Sequence, residues 1–334
     1  MTPALTIIIP VYNTAKYIAD CLSSIFNYQK EHVFFEVIII DDGSTDNSAD
    51  IISSFCASYS NLHYYYQENQ GVSVARMNGV SHAQGDYIWF VDSDDYLIPN
   101  ALEVLIKTMG SNPSTDVFVA PMHLTFEDGR EEFDTQHLDK EYDTIGKDLL
   151  MENNLFSIGP PQFIVKRSLF EYNWLYFPTG VRFEDEYYSR ILKYHATHFH
   201  VLKQSLYVYR QWNGSHMNSI SMSVATDVIT IYQHLDRFAN EEVSSEDQSC
   251  FRYNIVSFLL ECYTRFLSHT GTQEFSRFKK QYQNYIFAEW WKYHKYFPFK
   301  DNCLAILLQS TPRGYSKLLT AFFHLKRKII NRNA

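Results

Sequence analysis

The sequence predicts an α/β fold: a parallel sheet covered by helices on both faces, followed by a helical C-terminal region. Two observations carry this. Short β-branched runs such as "LTIIIPV" and "FEVIIID" alternate with helix-spaced apolar sets through the first half of the chain, and runs without polar alternation are strands buried on both faces. Beyond about Ser221 the strand signal stops and helical spacing takes over, as in "IVSFLLECYTRFL". The organisation expected is an α/β portion over residues 1–220 and a helical portion over 221–334.

The elements follow in order. After "LTIIIPVY", the apolar set Ile18, Leu22, Ile25 and Phe26 spaces as a helix; after "FEVIIIDD", the set is Ile51, Ile52 and Phe55. "GDYIWFV" is the next strand, and a helix starting near Pro99 buries Leu102, Leu105, Ile106 and Met109. "DVFVA" is a further strand, "TFEDGREEF" reads as a hairpin turning at Asp128-Gly129, and "SIGPPQFIVKRSLF" reads as a loop fixed by its two prolines. In "GVRFEDEYYSRIL" the repeat of Tyr187, Ile191 and Tyr194 marks a helix whose first turn carries Glu184, Asp185 and Glu186.

Composition bounds the class. With 334 residues, 46% hydrophobic and 20% charged, the chain is globular and long enough for a sizeable core. Its five cysteines, Cys21, Cys56, Cys250, Cys262 and Cys303, form no CxxC pair, so reduced thiols and a cytoplasmic location are expected, and no zinc site. The N-terminal apolar run is too short to span a bilayer and has no basic leader. At a formal net charge of −9, nucleic acid is not an expected partner. The segment Asn302–Ala334 departs from that balance: Arg313, Lys317, Lys326, Arg327, Lys328 and Arg332 stand there with no acidic residue. With Leu318, Leu319, Phe322, Phe323 and Leu325 they form a basic amphipathic pattern, suited to a peripheral contact with an anionic membrane or to docking on the protein itself.

Three strands end in polar residues: Tyr12 and Asn13, then "DDGSTDNS", then "VDSDD". In open α/β sheets ligands bind outside the carboxyl ends of the strands, so these segments converge on one pocket. "VDSDD" packs Asp92, Asp94 and Asp95 into four residues. Alternation along an extended segment puts Asp92 and Asp94 on one side and Asp95 on the other. Two carboxylates suit Mg²⁺, which takes one or two of them plus substrate phosphates; a capped turn before Pro99 is the competing reading. "DDGSTDNS" likewise reads either as a turn around Gly43 before a capped helix or as a carboxylate floor for a nucleoside.

In this order and spacing, "TIIIPVYNTAKYIADCLSSI", "VIIIDDGSTDNS", "ENQGVSVAR" and "GDYIWFVDSDD" resemble the nucleotide-sugar-binding half of family 2 glycosyltransferases with the GT-A fold, of the bacterial surface-polysaccharide type. The resemblance implies an inverting transferase using a nucleotide-diphosphate sugar, usually a UDP-sugar, with Mn²⁺ or Mg²⁺, and a glycan or lipid-linked acceptor. Carried over, Pro10, Tyr12 and Asn13 line the nucleoside pocket, Asp41 and Asp42 hydrogen-bond uracil and ribose, and Gly71, Ser73 and Arg76 approach the donor, with Arg76 near base or diphosphate. Asp92 contacts ribose or sugar and Asp94 ligates the metal, with Asp92 and His216 as further candidate ligands. Asp185 is the general base, Glu184 binds the acceptor or orients the site, and Arg210 touches phosphate. One departure is Met77, where the family's Ala-Arg-Asn-x-Gly has Asn; Asn78 stands next to it. Without the resemblance, Glu184 to Glu186 read as an acidic helix start favoured by the helix dipole and paired with Arg190, and His195, His198 and His200 as strand-edge histidines.

Two other classes compete. A haloacid-dehalogenase-type phosphohydrolase needs DxDx[TV], and Tyr96 breaks that signature. A catalytically silent nucleotide-sugar or glycan-binding module would have no use for both the DxD and the Glu184-Asp185 pair.

Overall fold

The computed structural model describes residues 2–27, 34–126, 128–133, 141–151, 159–211, 222–269, 277 and 282–297. Contacts divide the chain into two units, residues 1–180 with 184–213, and residues 181–183 with 214–334.

In the first unit the strands are β1 (Leu5–Val11), β2 (Phe35–Asp41), β3 (Leu62–Tyr66), β4 (Tyr87–Phe90), β5 (Tyr96–Leu97), β6 (Val117–Val119), β7 (Met122–Phe126), β8 (Glu131–Phe133), β9 (Tyr142–Thr144), β10 (Phe163–Lys166), β11 (Phe199–Val201) and β12 (Tyr207–Gln211). Its helices are α1 (Ile18–Phe26), α2 (Ser48–Cys56), α3 (Val72–His82), α4 (Ala101–Ser111), α5 (Gly146–Met151) and α6 (Glu184–His195). An eight-stranded sheet runs β3-β2-β1-β4-β10-β6-β11-β9, and a four-stranded one β5-β12-β7-β8.

The central strands β3, β2, β1 and β4 are parallel, with Leu5 to Val11 opposite Phe35 to Asp41. β1, β2 and β4 are buried on both faces, and the edge strand β3 is partly exposed. Ile7, Ile9 and Val11 join one core with α1 and α4, whereas Ile8 joins the other with Ile88, Phe90 and residues of α6. The sheet is not parallel throughout. "FIVK", expected within a loop, is β10, antiparallel to both β4 and β6. Pro160 and Pro161 close a short 3-10 turn, and the bulky apolar run after them pairs as a strand. The hairpin at Asp128-Gly129 forms as β7-β8, with Gly129 at φ 80°, a conformation that favours glycine.

Because β4 lies on the side of β1 away from β3, the chain reverses direction across β1, and the switch point falls between β1 and β4. Pro10 sits there. Ile8 O accepts from Val91 N and Val11 O from Asp42 N, so alternate residues of β1 face β4, and β1 pairs with β4 only through Ile8. The missing N–H of Pro10 therefore falls just where the ladder has ended. Gly79 brings α3 close on the same strand, since a Cβ there would lie 2.3 Å from Ile8 Cγ2.

The second unit contains α7 (Met222–Glu241), α8 (Gln248–His269) and α9 (Asn284–Tyr293). Arg252 is buried there and ion-paired with Asp236, and Phe287 and Trp290 are among its buried aromatics. No strand follows β12 among the described residues.

Candidate active site

The loops after β1 and β2 are zipped together by side chain to backbone bonds. Asn13, at φ 54°, places its Oδ1 to accept from Thr45 N at 2.7 Å, while its own N–H donates to Ser44 Oγ at 3.0 Å. Asparagine tolerates that left-handed conformation and has the acceptor the loop needs. Asp46 Oδ2 accepts from Ala15 N at 2.9 Å, and Ser48 Oγ from Thr14 N at 3.0 Å. Tyr12 stands on this rim with 51% of its surface exposed, a ring free to stack.

Asp41 and Asp42 lie deeper than their expected role requires. Asp41 accepts from Ser44 N at 2.8 Å and Tyr64 OH at 2.7 Å. Asp42 Oδ1 accepts from Gln67 Nε2 and Gln70 N, and its Oδ2 from Gly71 N at 2.8 Å. Both carboxylates are buried and accept from protein donors that tie these loops together. Gly71, at φ 90°, begins α3. Ser73 Oγ donates to Pro178 O at 2.7 Å, tying α3 to the segment ahead of Glu184.

Arg76 occupies the centre. Its side chain is 6% exposed, with Nη2 3.0 Å from Asp92 Oδ1 and Nη1 2.8 Å from Glu184 Oε1. The guanidinium lies 5.1 Å from the Phe177 ring centroid. Burial works against its charge, but the carboxylates of Asp92 and Glu184 outweigh that and hold it above its ordinary range. Where a contact with base or diphosphate was expected, the structure gives Arg76 two protein carboxylates from distant motifs.

The "VDSDD" segment is a turn, not the extended run expected: Asp95 N donates to Asp92 O at 3.1 Å. The turn still sorts the carboxylates, leaving Asp92 and Asp94 half-buried and Asp95 fully buried. Tyr207 OH donates to Asp95 Oδ2 and accepts from Asp92 N at 3.1 Å, and Arg210 N donates to Asp95 Oδ1 at 2.8 Å. The Arg210 side chain lies over the Tyr17 and Tyr96 rings and 3.4 Å from Asp20 Oδ2. Burial, then Asp94 and Asp92, push the Asp95 carboxyl up. The buried Cys21 thiol behind the turn is pushed up by burial and by all three carboxylates.

Asp185, half-buried in the first turn of α6, accepts from Glu186 N at 3.0 Å. Burial raises its carboxyl well above the usual range, Glu184 and Glu186 add to this, and Arg76 opposes it. Arg190 pairs with Glu186. Ahead of the helix, Phe183 holds φ 66°, a strained value for a bulky residue.

Of the three histidines expected at strand edges, His200 lies in β11, His198 just ahead of it, and His195 ends α6. His195 stacks on Trp174, His198 neighbours Asp116, and His200 pairs with Asp143 at 2.8 Å. Met77 packs in the core, while Asn78 Nδ2 donates to Gln67 Oε1 at 2.7 Å. His216 and Cys303 lie outside the described residues. Among the described residues no group of three or more His, Cys, Asp or Glu side chains could hold a metal alone. Tyr207, Tyr64, Gln67 and Phe177 support the site without any motif to announce them.

The family model "Glycosyl transferase family 2" matches residues 6–174. The chain belongs to that family. This glycosyltransferase is 28% identical to the glycosyltransferase GlyG of Streptococcus pneumoniae over 82% of its own chain and 93% of that protein. It is also 28% identical to the putative glycosyltransferase EpsH of Bacillus subtilis, over 78% of its chain and 75% of that one. Its structure is similar to that of S. aureus TarS 1–349 in complex with UDP-GlcNAc, with a TM-score of 0.60 over 85% of this chain and 87% of that one. At 20% identity this likeness speaks for the GT-A fold.

Arg76→Met leaves two largely buried carboxylates unpaired, so the glycosyltransferase should lose about 3 kcal/mol of stability, the usual scale for breaking a buried ion pair. Arg76→Lys should recover only part, since an ammonium lacks the fork that meets both partners. Urea denaturation checks both, and wild-type stability in Arg76→Met would contradict the pairing.

Proposed function

We propose that this enzyme transfers a sugar from a UDP-linked donor to a hydroxyl of a glycan or lipid-linked acceptor with inversion, Asp185 acting as general base. The observation that carries this reading is the Arg76 bridge: it holds Asp92 at the donor end beside Glu184, and Asp185 follows Glu184 directly. UDP-GlcNAc in the related TarS structure supports a uridine diphosphate donor.

The residues present fit a hard divalent cation, Mn²⁺ or Mg²⁺. The turn concentrates three carboxylates, with Asp94 and Asp92 the less buried, and fewer than three protein ligands suffice where donor phosphates complete the shell. When bound, such a cation supplies electrostatic stabilisation of the departing diphosphate. Asp94 would hold it, with Asp92 beside it. His216 is a further candidate ligand on sequence grounds. Tyr12 offers its exposed ring to the base, while Pro10, Asn13, Asp41, Asp42, Gly71 and Ser73 shape the loops around it. Arg210 is held at the rim as a phosphate contact. Asp185 would take the proton of the acceptor hydroxyl, and its raised carboxyl makes it a stronger base than an ordinary aspartate.

A raised carboxyl must lose its proton before it can serve. Transfer should therefore fall as pH drops through that elevated value, at higher pH than an ordinary aspartate near about 3.9 would give. The sign for stability is opposite: the contribution of Asp185 is present below the ordinary carboxylate range and lost as pH rises through the raised value. Asp185→Asn should keep the thermal shift given by UDP with Mn²⁺, lose transfer, and melt no lower than wild type at neutral pH. Unchanged turnover would place the base elsewhere. Asp94→Ala should lose the metal-dependent part of the UDP shift, and retention of it would overturn the metal assignment.

The basic segment 314–334 lies outside the described residues, and no described helix is long and apolar enough to cross a membrane. A peripheral contact through this segment rests on its charge and apolar pattern. Removing it should abolish sedimentation with phosphatidylglycerol vesicles; equal pelleting of both forms rules that contact out.

A further inference from the structure

We infer that Asp95 and Tyr207 are positioning residues for the diphosphate end of the donor site: a buried relay fixes the Asp92–Asp95 turn against β12 and Arg210. The inference rests on the donor reading above, and it gives a role to the carboxylate of "VDSDD" that this reading leaves out. Asp95 and Tyr207 are both 0% exposed. The Tyr207 hydroxyl does two jobs at once, accepting from Asp92 N at 3.1 Å and donating to Asp95 Oδ2. A phenylalanine ring would fill the same space and do neither.

Asp95 is used through its N–H and both carboxylate oxygens. Its N–H donates to Asp92 O at 3.1 Å, Oδ1 accepts from Arg210 N at 2.8 Å, and Oδ2 accepts from Tyr207. Enclosed and committed in this way, it is not a metal ligand, although it neighbours Asp94 in sequence. What it does is join two elements that must face the same diphosphate. The backbone of Asp92 is pinned by Tyr207, and the backbone of Arg210 is pinned by Asp95. The spacing between the turn that carries the half-buried carboxylates and the backbone of Arg210 is therefore set inside the fold, ahead of any ligand. Such supporting bonds commonly decide whether a site holds its geometry.

Calorimetric titration of UDP into the full chain, with and without Mn²⁺, separates this role from general support of the fold. In Mn²⁺, Tyr207→Phe should bind UDP about tenfold more weakly, the scale of losing hydrogen bonds to a charged group. Its metal-free UDP affinity, which reports the nucleoside pocket, should be unchanged. Asp95→Asn keeps one acceptor and should weaken the Mn²⁺-dependent part less, retaining the metal response that Asp94→Ala loses. Should Tyr207→Phe not fold, Asp95→Asn decides by the same comparison. Wild-type affinity in Mn²⁺, or an equal loss with and without metal, overturns the assignment. So does loss of the metal response in Asp95→Asn as complete as in Asp94→Ala, which would make Asp95 a ligand. A wild-type chain that binds no UDP at all would instead overturn the donor reading itself.

Discussion

The buried guanidinium of Arg76 is the interaction on which the site depends. Asp92 and Glu184 come from motifs far apart in the chain, and each carboxylate would be costly to bury alone. Between them Arg76 satisfies both, at 3.0 and 2.8 Å. Its planar fork presents separate N–H groups in fixed directions, which a lysine cannot do. Its own position is a matter of packing: Gly79 lets α3 approach Ile8 closely, Ser73 ties the same helix to Pro178, and Phe177 lies under the guanidinium. Backbone contact on β1 is in this way translated into the placement of two acidic side chains.

Around that centre, polar groups are largely spent on one another. Asn13, Asp42 and Asp46 bind backbone N–H groups of neighbouring loops, and Asp95 binds β12. Groups so engaged do not reorganise when a ligand arrives, which is how a fold prepares an electrostatic environment in advance. Tyr12 stays exposed on the rim, and Asp92 and Asp94 are half-buried.

Periodicity made most of the fold legible. The odd and even residues of "LTIIIPV" divide between two cores as a strand buried on both faces must, and α1 and α4 bury the faces their spacing marks out. "FIVK" was not legible as a strand, because three apolar residues shortly after two prolines carry no direction and its partners β4 and β6 are remote in sequence. The site was legible as a set of motifs but not as a set of contacts. "VDSDD" shows three carboxylates, and only the turn at Asp92–Asp95 shows which of them is interior. The sequence sets Arg76 near base or diphosphate by resemblance, whereas its pairing with Glu184, 108 residues away, is visible only in the fold. Tyr207 sits unremarked in "LYVYRQ", since its role depends on β12 pairing with β5 beside the DxD.

The claim that Arg76 makes one unit of the donor end and the base end is tested most directly by a double-mutant cycle on transfer kcat/KM, with Asp92→Asn and Glu184→Gln in wild-type and Arg76→Met backgrounds. The account predicts that the two substitutions couple by about 1 kcal/mol or more in the wild-type background and that this coupling disappears with Arg76, whereas effects additive to within about 0.5 kcal/mol in both backgrounds would contradict it.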